Sequence, residues 1–228
     1  EGFLARHGMT KGGMALIDEA RAAAIYGDMG PATEMSGGSG ANTIVGLAGF
    51  GARAAFIGKV KNDQIGGLYS HDIRAAGVAF ETKAAEAGPA TGSSYILVTP
   101  DGERTMNTYL GAAQDLSPAD IDEAQIAASS IVYLEGYLWD PKNAKEAFVR
   151  AAKIAHGAGR QVALTLSDSF CVDRYRDEFL DLMRKGTVDL VFANEAELHS
   201  LYQTSDFEGA LKQLRADTKL GIVTRSEK

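Results

Sequence analysis

The chain has 228 residues, 45% of them apolar, and a formal net charge of −7. That suffices for one sizeable α/β domain with an appendage or for two small domains, and it rules out wholesale disorder. No basic stripe argues for nucleic acid, no apolar run approaches the ~20 residues that span a membrane, and the single cysteine, Cys171, excludes an internal disulfide. The expectation is a cytoplasmic protein.

Residues 14–17 (M-A-L-I) read as a short strand, and Asp18 caps a helix over residues 19–29. Residues 34–51 (E-M-S-G-G-S-G-A-N-T-I-V-G-L-A-G-F-G) form a backbone-exposing glycine loop that runs directly into a tightly packed helix. The free N–H groups of that helix start, with Asn42 beside them, form the mouth of a candidate site. Neither standard phosphate loop fits. The dinucleotide fingerprint G-x-G-x-x-G fails at Thr43, and a Walker A loop fails at Arg53 and Val60.

Residues 54–60 read as a buried strand, and residues 61–67 turn into a helix through Ala76, capped by Asp63 and closed by Gly77. Two β-rich runs follow, residues 93–99 and 104–110. Asp101 and Gly102 between them signal a hairpin turn. With the strand near residue 15 this hairpin is expected to form a small sheet over the main body, a lid.

From Ser117 the rhythm is regular. Ser117 and Pro118 start a helix ending near Ser130, and residues 131–134 are a strand ending in Glu135 and Gly136. Asp140 and Pro141 start a helix that closes at Gly157, and the strand 162–166 ends in Ser167 and Asp168. A helix over residues 173–185 closes at Gly186, and the strand 188–193 ends in Asn194 and Glu195. Two more helices, the second over residues 206–216, lead to a final strand ending in Thr224. Strands alternating with helices mean βαβ units and a parallel sheet, where ligands bind beyond the carboxyl ends of the strands.

Glu135, Asp168, Asn194, Glu197 and Thr224 all fall at those ends. Glu135 can accept hydrogen bonds from sugar hydroxyls, or it can be a turn residue. Asn194 and Glu197 have the spacing of a helix capping box, and a carboxylate there can also hold Mg²⁺ through water. Ser167 to Ser169 read as turn chemistry, Tyr137 and Trp139 as packing aromatics with a stacking alternative, and Cys171 as an inert thiol. The four histidines lack ligand spacing.

Taken in order, Gly37-Gly38-Ser39-Gly40-Ala41-Asn42-Thr43, then Phe56-Ile57-Gly58-Lys59-Val60 with Asp63 and Gly66, resemble the first signature of the ribokinase-like (PfkB) carbohydrate kinases. Asn194-x-x-Glu197 resembles that family's N-x-x-E motif, and Thr224 stands where its T-x-G-x-x-G nucleotide loop begins. Glu135 falls where the family places a substrate-contacting carboxylate. The bacterial adenosine-kinase-like members are most similar, with Asp101 to Thr105 on the lid hairpin.

The resemblance implies an α/β fold with a mostly parallel sheet, flanking helices and a β lid. Residues 1–18 and 78–112 would form the lid, and residues 19–77 and 113–228 an incomplete core. It implies an ATP- and Mg²⁺-dependent transfer of phosphate to a hydroxymethyl group of a ribonucleoside or sugar. Gly37, Gly38, Ser39, Asn42 and Glu135 would bind the acceptor, Asn194 and Thr224 the nucleotide, and Glu197 the metal. Homodimers would pair through the lid.

The family's second signature, D-T-x-G-A-G-D, supplies the catalytic base and is expected past Lys228. A substrate-binding aspartate is expected ahead of Glu1. No catalytic residue is therefore assigned within the chain, which reads as part of a longer one. Ile44, Lys61 and Ser226 depart from the family pattern. A non-catalytic sugar- or nucleoside-binding module on the same scaffold is the alternative, and the failed glycine fingerprint disfavours a nicotinamide oxidoreductase. The acceptor side and the strand ends are expected to share one cleft under the lid.

Overall fold

Two units, Glu1–Asp115 and Leu116–Lys228, make up the computed structural model, which describes residues 1–226. The first unit carries α1 (Gly2–Arg6), β1 (Met14–Leu16), α2 (Glu19–Asp28), α3 (Ser39–Gly49), β2 (Ala54–Ala55), α4 (Gln64–Ala75) and β3 (Val78–Ala79). The hairpin β4 (Ser93–Val98) and β5 (Arg104–Tyr109) follows. Asp18 caps α2 by accepting from Arg21 N at 2.7 Å, and Asp63 caps α4 by accepting from Gly66 N at 2.8 Å. Ala41 of α3, Ile73 of α4, Val60, Val78 and Phe80 form a small buried core.

The hairpin pairs antiparallel, with Ile96 opposite Met106, and β1 adds to β5 in parallel, with Met14 also opposite Met106. The resulting sheet has the order β1-β5-β4. Residues directly opposite one another share a face. One face buries Thr105 and Asn107, while the other leaves Met14, Leu16, Ile96 and Val98 between 44% and 66% exposed. This sheet belongs to the same unit as residues 19–77.

The strand expected over residues 54–60 is shorter. Only Ala54 and Ala55 pair regularly, with Val78 and Ala79. Phe56 still donates to Ala79 O at 2.9 Å, but the Phe56 ring folds onto Gly58, and pairing resumes only where Ala85 N meets Val60 O.

The second unit carries α5 (Glu123–Ala128), β6 (Ile131–Glu135), α6 (Lys142–Gly157), β7 (Gln161–Thr165), α7 (Ser169–Arg184), β8 (Leu190–Asn194), α8 (Glu195–Tyr202), α9 (Phe207–Asp217) and β9 (Leu220–Thr224). Its four strands are all parallel in the order β6-β7-β8-β9. On α6, buried Ala144, Ala147, Phe148, Ala151, Ala152 and Ala155 recur at the three-and-four spacing of a single helical stripe, which packs on β6 and β7. Val162, Leu164 and Val191 are fully enclosed at the sheet centre.

Two helix expectations need correction. The helix from Ser117 is broken: Asp120 turns back onto Ser117 N and Oγ, Ile121 goes extended and buries its side chain, and Asp122 caps a separate α5. Helix α7 starts earlier than residue 173, because the Asp168 carboxylate accepts from Cys171 N at 2.6 Å and nucleates it at Ser169. No helix among the described residues is long and apolar enough to cross a membrane.

Candidate active site

Parallel pairing sets the carboxyl ends of the second unit's strands side by side. Glu135 closes β6 opposite Thr165, the last residue of β7, and Asn194 closes β8 opposite Thr224, the last residue of β9. A hollow of about 200 Å³ opens at the ends of β7, β8 and β9. Thr165, Phe192, Ala193, Asn194, Glu197, Ile222 and Thr224 line it. Three residues chosen from sequence, Asn194, Glu197 and Thr224, therefore share one cavity. Drug-sized ligands occupy roughly 300–1,000 Å³, so this hollow has room for a small polar group such as a phosphate.

Asn194 and Glu197 form the capping box that their spacing allowed. The Asn194 side chain accepts from Glu197 N at 2.8 Å, and the Glu197 carboxylate accepts from Asn194 N at 3.0 Å and from Asn194 Nδ2 at 2.7 Å. Glu197 is 4% exposed. Burial pushes its carboxyl above the usual range, the Asn194 N–H opposes that, and the Asp168 charge adds to it. The cap and the cavity wall are one structure, so the structural and functional readings of this motif coexist.

Thr224 leads into Arg225 and Ser226. The Arg225 guanidinium lies 3.8 Å from the Phe207 ring centroid and donates to Glu195 at 3.0 Å. Ser226 has φ +48°, in the left-handed region where glycine is favoured, at the position where the resembled loop carries glycine.

The turn after β7 is strained. Ser167 has φ +74°, and Asp168 N donates across it to Leu166 O at 3.0 Å, closing a three-residue turn of the rare positive-φ form. Such a conformation costs a non-glycine residue about 1–3 kcal/mol and persists only where its surroundings hold it. Sequence reasoning assigned turn chemistry here but gave no role to Ser167 or Thr165. A polar residue closing the apolar run of β7 was the signal available for Thr165.

Of the aromatics after Glu135, Trp139 is buried against Phe148 and Phe179, with its indole N–H on Glu178 at 2.8 Å. Tyr137 stays 38% exposed beside the strand ends. Burial and the neighbouring Asp168 carboxylate push its phenol far up. Cys171 is buried, donates to Gly136 O at 3.2 Å, and has its thiol pushed up to about 12 by burial, so it is no nucleophile.

In the first unit, Gly38 (φ +109°) ends the glycine loop and caps α3 without a side chain. The amides of Ser39, Gly40 and Ala41 thus face out of the helix end. Gly37, Gly38, Ser39 and Asn42 are exposed, while Ala41, Ile44 and Val45 anchor the helix in the core.

Among the described residues no three His, Cys, Asp or Glu side chains gather as a metal cage. Glu197 fits a different kind of metal contact. It is a hard oxygen donor on the cavity wall whose two oxygens each accept from Asn194, which suits a cation that keeps its waters. A larger hollow of about 400 Å³ flanks Trp139 and α6, where Lys145 is engaged with Glu178 and Arg150 with Glu123 and Pro118 O.

The description "pfkB family carbohydrate kinase" matches residues 30–228. The crystal structure of adenosine kinase from Sinorhizobium meliloti is 56% identical, covers 100% of this chain with 69% of its own, and superposes with a TM-score of 0.93. A probable sugar kinase from Rhizobium etli CFN 42 gives 55% identity, the same coverage and the same TM-score. "Probable fructokinase-6, chloroplastic" of Arabidopsis thaliana is 28% identical over 178 residues, 75% of this chain and 45% of that protein. The chain thus spans under half the length of that relative. Its fold is the ribokinase-like α/β fold, and the chain belongs to the pfkB family of carbohydrate kinases.

Proposed function

We propose that the protein containing this chain transfers the γ-phosphoryl of ATP to a hydroxymethyl group of a ribonucleoside, adenosine-like, or of a sugar. The observation that carries this reading is the cavity where Asn194, Glu197 and Thr224 converge at the carboxyl ends of parallel strands. The relatives support it, since two are named for adenosine and fructose as acceptors.

In this reading Gly37, Gly38, Ser39 and Asn42 bind acceptor hydroxyls through main-chain amides and one side-chain amide. Glu135 accepts from a further hydroxyl. Asn194 and Thr224 orient the phosphates. Glu197 would hold Mg²⁺ through water, and the ion when bound neutralises charge on the phosphate oxygens. Because phosphoryl transfer passes through a loose transition state, positioning and charge stabilisation supply most of the rate. The β1-β5-β4 sheet acts as the lid that excludes water. Its exposed face of Met14, Leu16, Ile96 and Val98 is where we place self-association into a homodimer.

The test is saturable, Mg²⁺-dependent phosphorylation across a panel of nucleosides and sugars by the full natural chain. Absence of any phosphorylated product refutes the reading. Light scattering of the same preparation against a Leu16→Lys, Ile96→Lys variant tests the dimer, which the variant should dissociate.

A further inference from the structure

The turn after β7 and the turn after β6 interlock. Gly136, the residue following Glu135, is packed so closely that a Cβ would stand 2.8 Å from Thr165 O and 2.9 Å from Leu166 O. Both backbone polar groups beside that contact are held by side chains from the turn after β7 and the first turn of α7. Tyr137 N donates to Ser167 Oγ at 3.2 Å, and Gly136 O accepts from Cys171 Sγ at 3.2 Å.

Ser167 reaches Tyr137 N from its strained backbone. Its φ of +74° is fixed by the Asp168 N to Leu166 O bond on one side and by its own N–H on Thr165 Oγ1 at 3.3 Å on the other. Glycine would adopt this backbone without strain. Serine at the position therefore trades conformational ease for a hydroxyl in one place. An observed outlier of this kind points toward a functional constraint.

We infer that Ser167 and Cys171 are positioning residues for the acceptor, acting by clamping the Gly136–Tyr137 peptide and thereby aiming the Glu135 carboxylate. Neither residue touches the acceptor. The inference rests on the assignment of Glu135 to acceptor binding, and it extends that assignment to the neighbouring strand connection.

The clamp makes a prediction that a purely structural role does not. Ser167→Gly relieves the backbone and removes the hydroxyl, so on packing grounds alone it should be neutral or stabilising. We expect that same unchanged or higher melting temperature together with a KM for the acceptor raised about tenfold, which a purely structural role would leave unmoved, since small misplacements of a binding group are costly. KM for ATP should stay within about twofold. Ser167→Asn, which tolerates positive φ and restores a side-chain oxygen, should recover part of the loss. Cys171→Ala should raise acceptor KM as Ser167→Gly does, with a lower melting temperature because it empties a buried position, and Cys171→Ser, which keeps a donor for Gly136 O, should retain the native KM.

The measurements use the full natural chain, with Glu135→Gln as the reference. If Glu135→Gln raises acceptor KM while Ser167→Gly and Cys171→Ala leave it within twofold, the clamp is refuted and Glu135 keeps its role. Equal increases in both KM values also refute the clamp, because they mark general disturbance. No acceptor turnover by the native chain, or no effect of Glu135→Gln, overturns the assignment of Glu135 and the clamp with it.

Discussion

Asn194 and Glu197 hold each other through three hydrogen bonds, with Glu197 N on the Asn194 side chain and Asn194 N and Nδ2 on the Glu197 carboxylate. The pair is at once a helix cap and a wall of the cavity, so its two contributions can be separated by substitution. Asn194→Ala removes the cap and should cost about 1–2 kcal/mol of stability by denaturant titration. Glu197→Gln keeps a side-chain oxygen for Asn194 N but loses the charge. Its NH2 faces Asn194 Nδ2, so it should cost about 1–3 kcal/mol of stability while lowering activity and apparent Mg²⁺ affinity by about 10- to 100-fold in Mg²⁺ titrations of turnover.

Asn42 is exposed on α3, whose buried Ala41 and half-buried Ile44 and Val45 do the packing. Asn42→Ala should therefore change stability by less than about 0.5 kcal/mol. Acceptor KM should rise about fivefold, the worth of one net hydrogen bond of ~1 kcal/mol, with little change in KM for ATP. Equal effects on the two substrates in steady-state kinetics would contradict the assignment.

Asp189, just ahead of β8, is 2% exposed and accepts from Lys219 Nζ at 2.6 Å, His156 Nε2 at 2.8 Å and Val162 N at 2.8 Å. Burial alone would raise its carboxyl, but these bonds outweigh burial and hold it below the usual carboxylate range. A depressed folded-state pKa contributes stability that is complete above the ordinary carboxyl pKa of about 4 and is lost as pH falls through the folded value. Asp189→Asn should flatten that acid limb of stability against pH, and cost about 1–3 kcal/mol at neutral pH. The Lys219 side chain is 76% exposed and can turn to water, which keeps the cost moderate. Melting temperatures across pH 3–7 check both statements.

Gly136→Ala places a methyl group against two carbonyl oxygens, at 2.8 Å and 2.9 Å, where backbone must move to make room. An overpacking cost of about 1–3 kcal/mol is expected, read as a lower denaturation midpoint.

The regular α/β half was legible because its signals are local and redundant. The alanine stripe of α6, the capping residue Asn194, and the apolar runs of β6 to β9 each name their own structure. So was the hairpin turn, where Asp101 and Gly102 (φ +85°) sit as their sequence asks. What sequence missed depended on distant partners. The strand expected over residues 54–60 failed because a ring packs on Gly58, and the helix from Ser117 failed because Asp120 prefers to bond backward. Ser167 was invisible as more than a turn residue, because its hydroxyl matters only through Tyr137, thirty positions away.

The measurement that bears most directly on the account is transfer of labelled γ-phosphate from ATP to nucleosides and sugars by the full natural chain, with and without Mg²⁺, with the product identified. The account predicts one phosphorylated hydroxymethyl group on a preferred acceptor, dependent on Mg²⁺ and strongly reduced by Glu197→Gln. A properly folded protein that consumes no ATP with any acceptor, or that works equally well after Glu197→Gln, would contradict it.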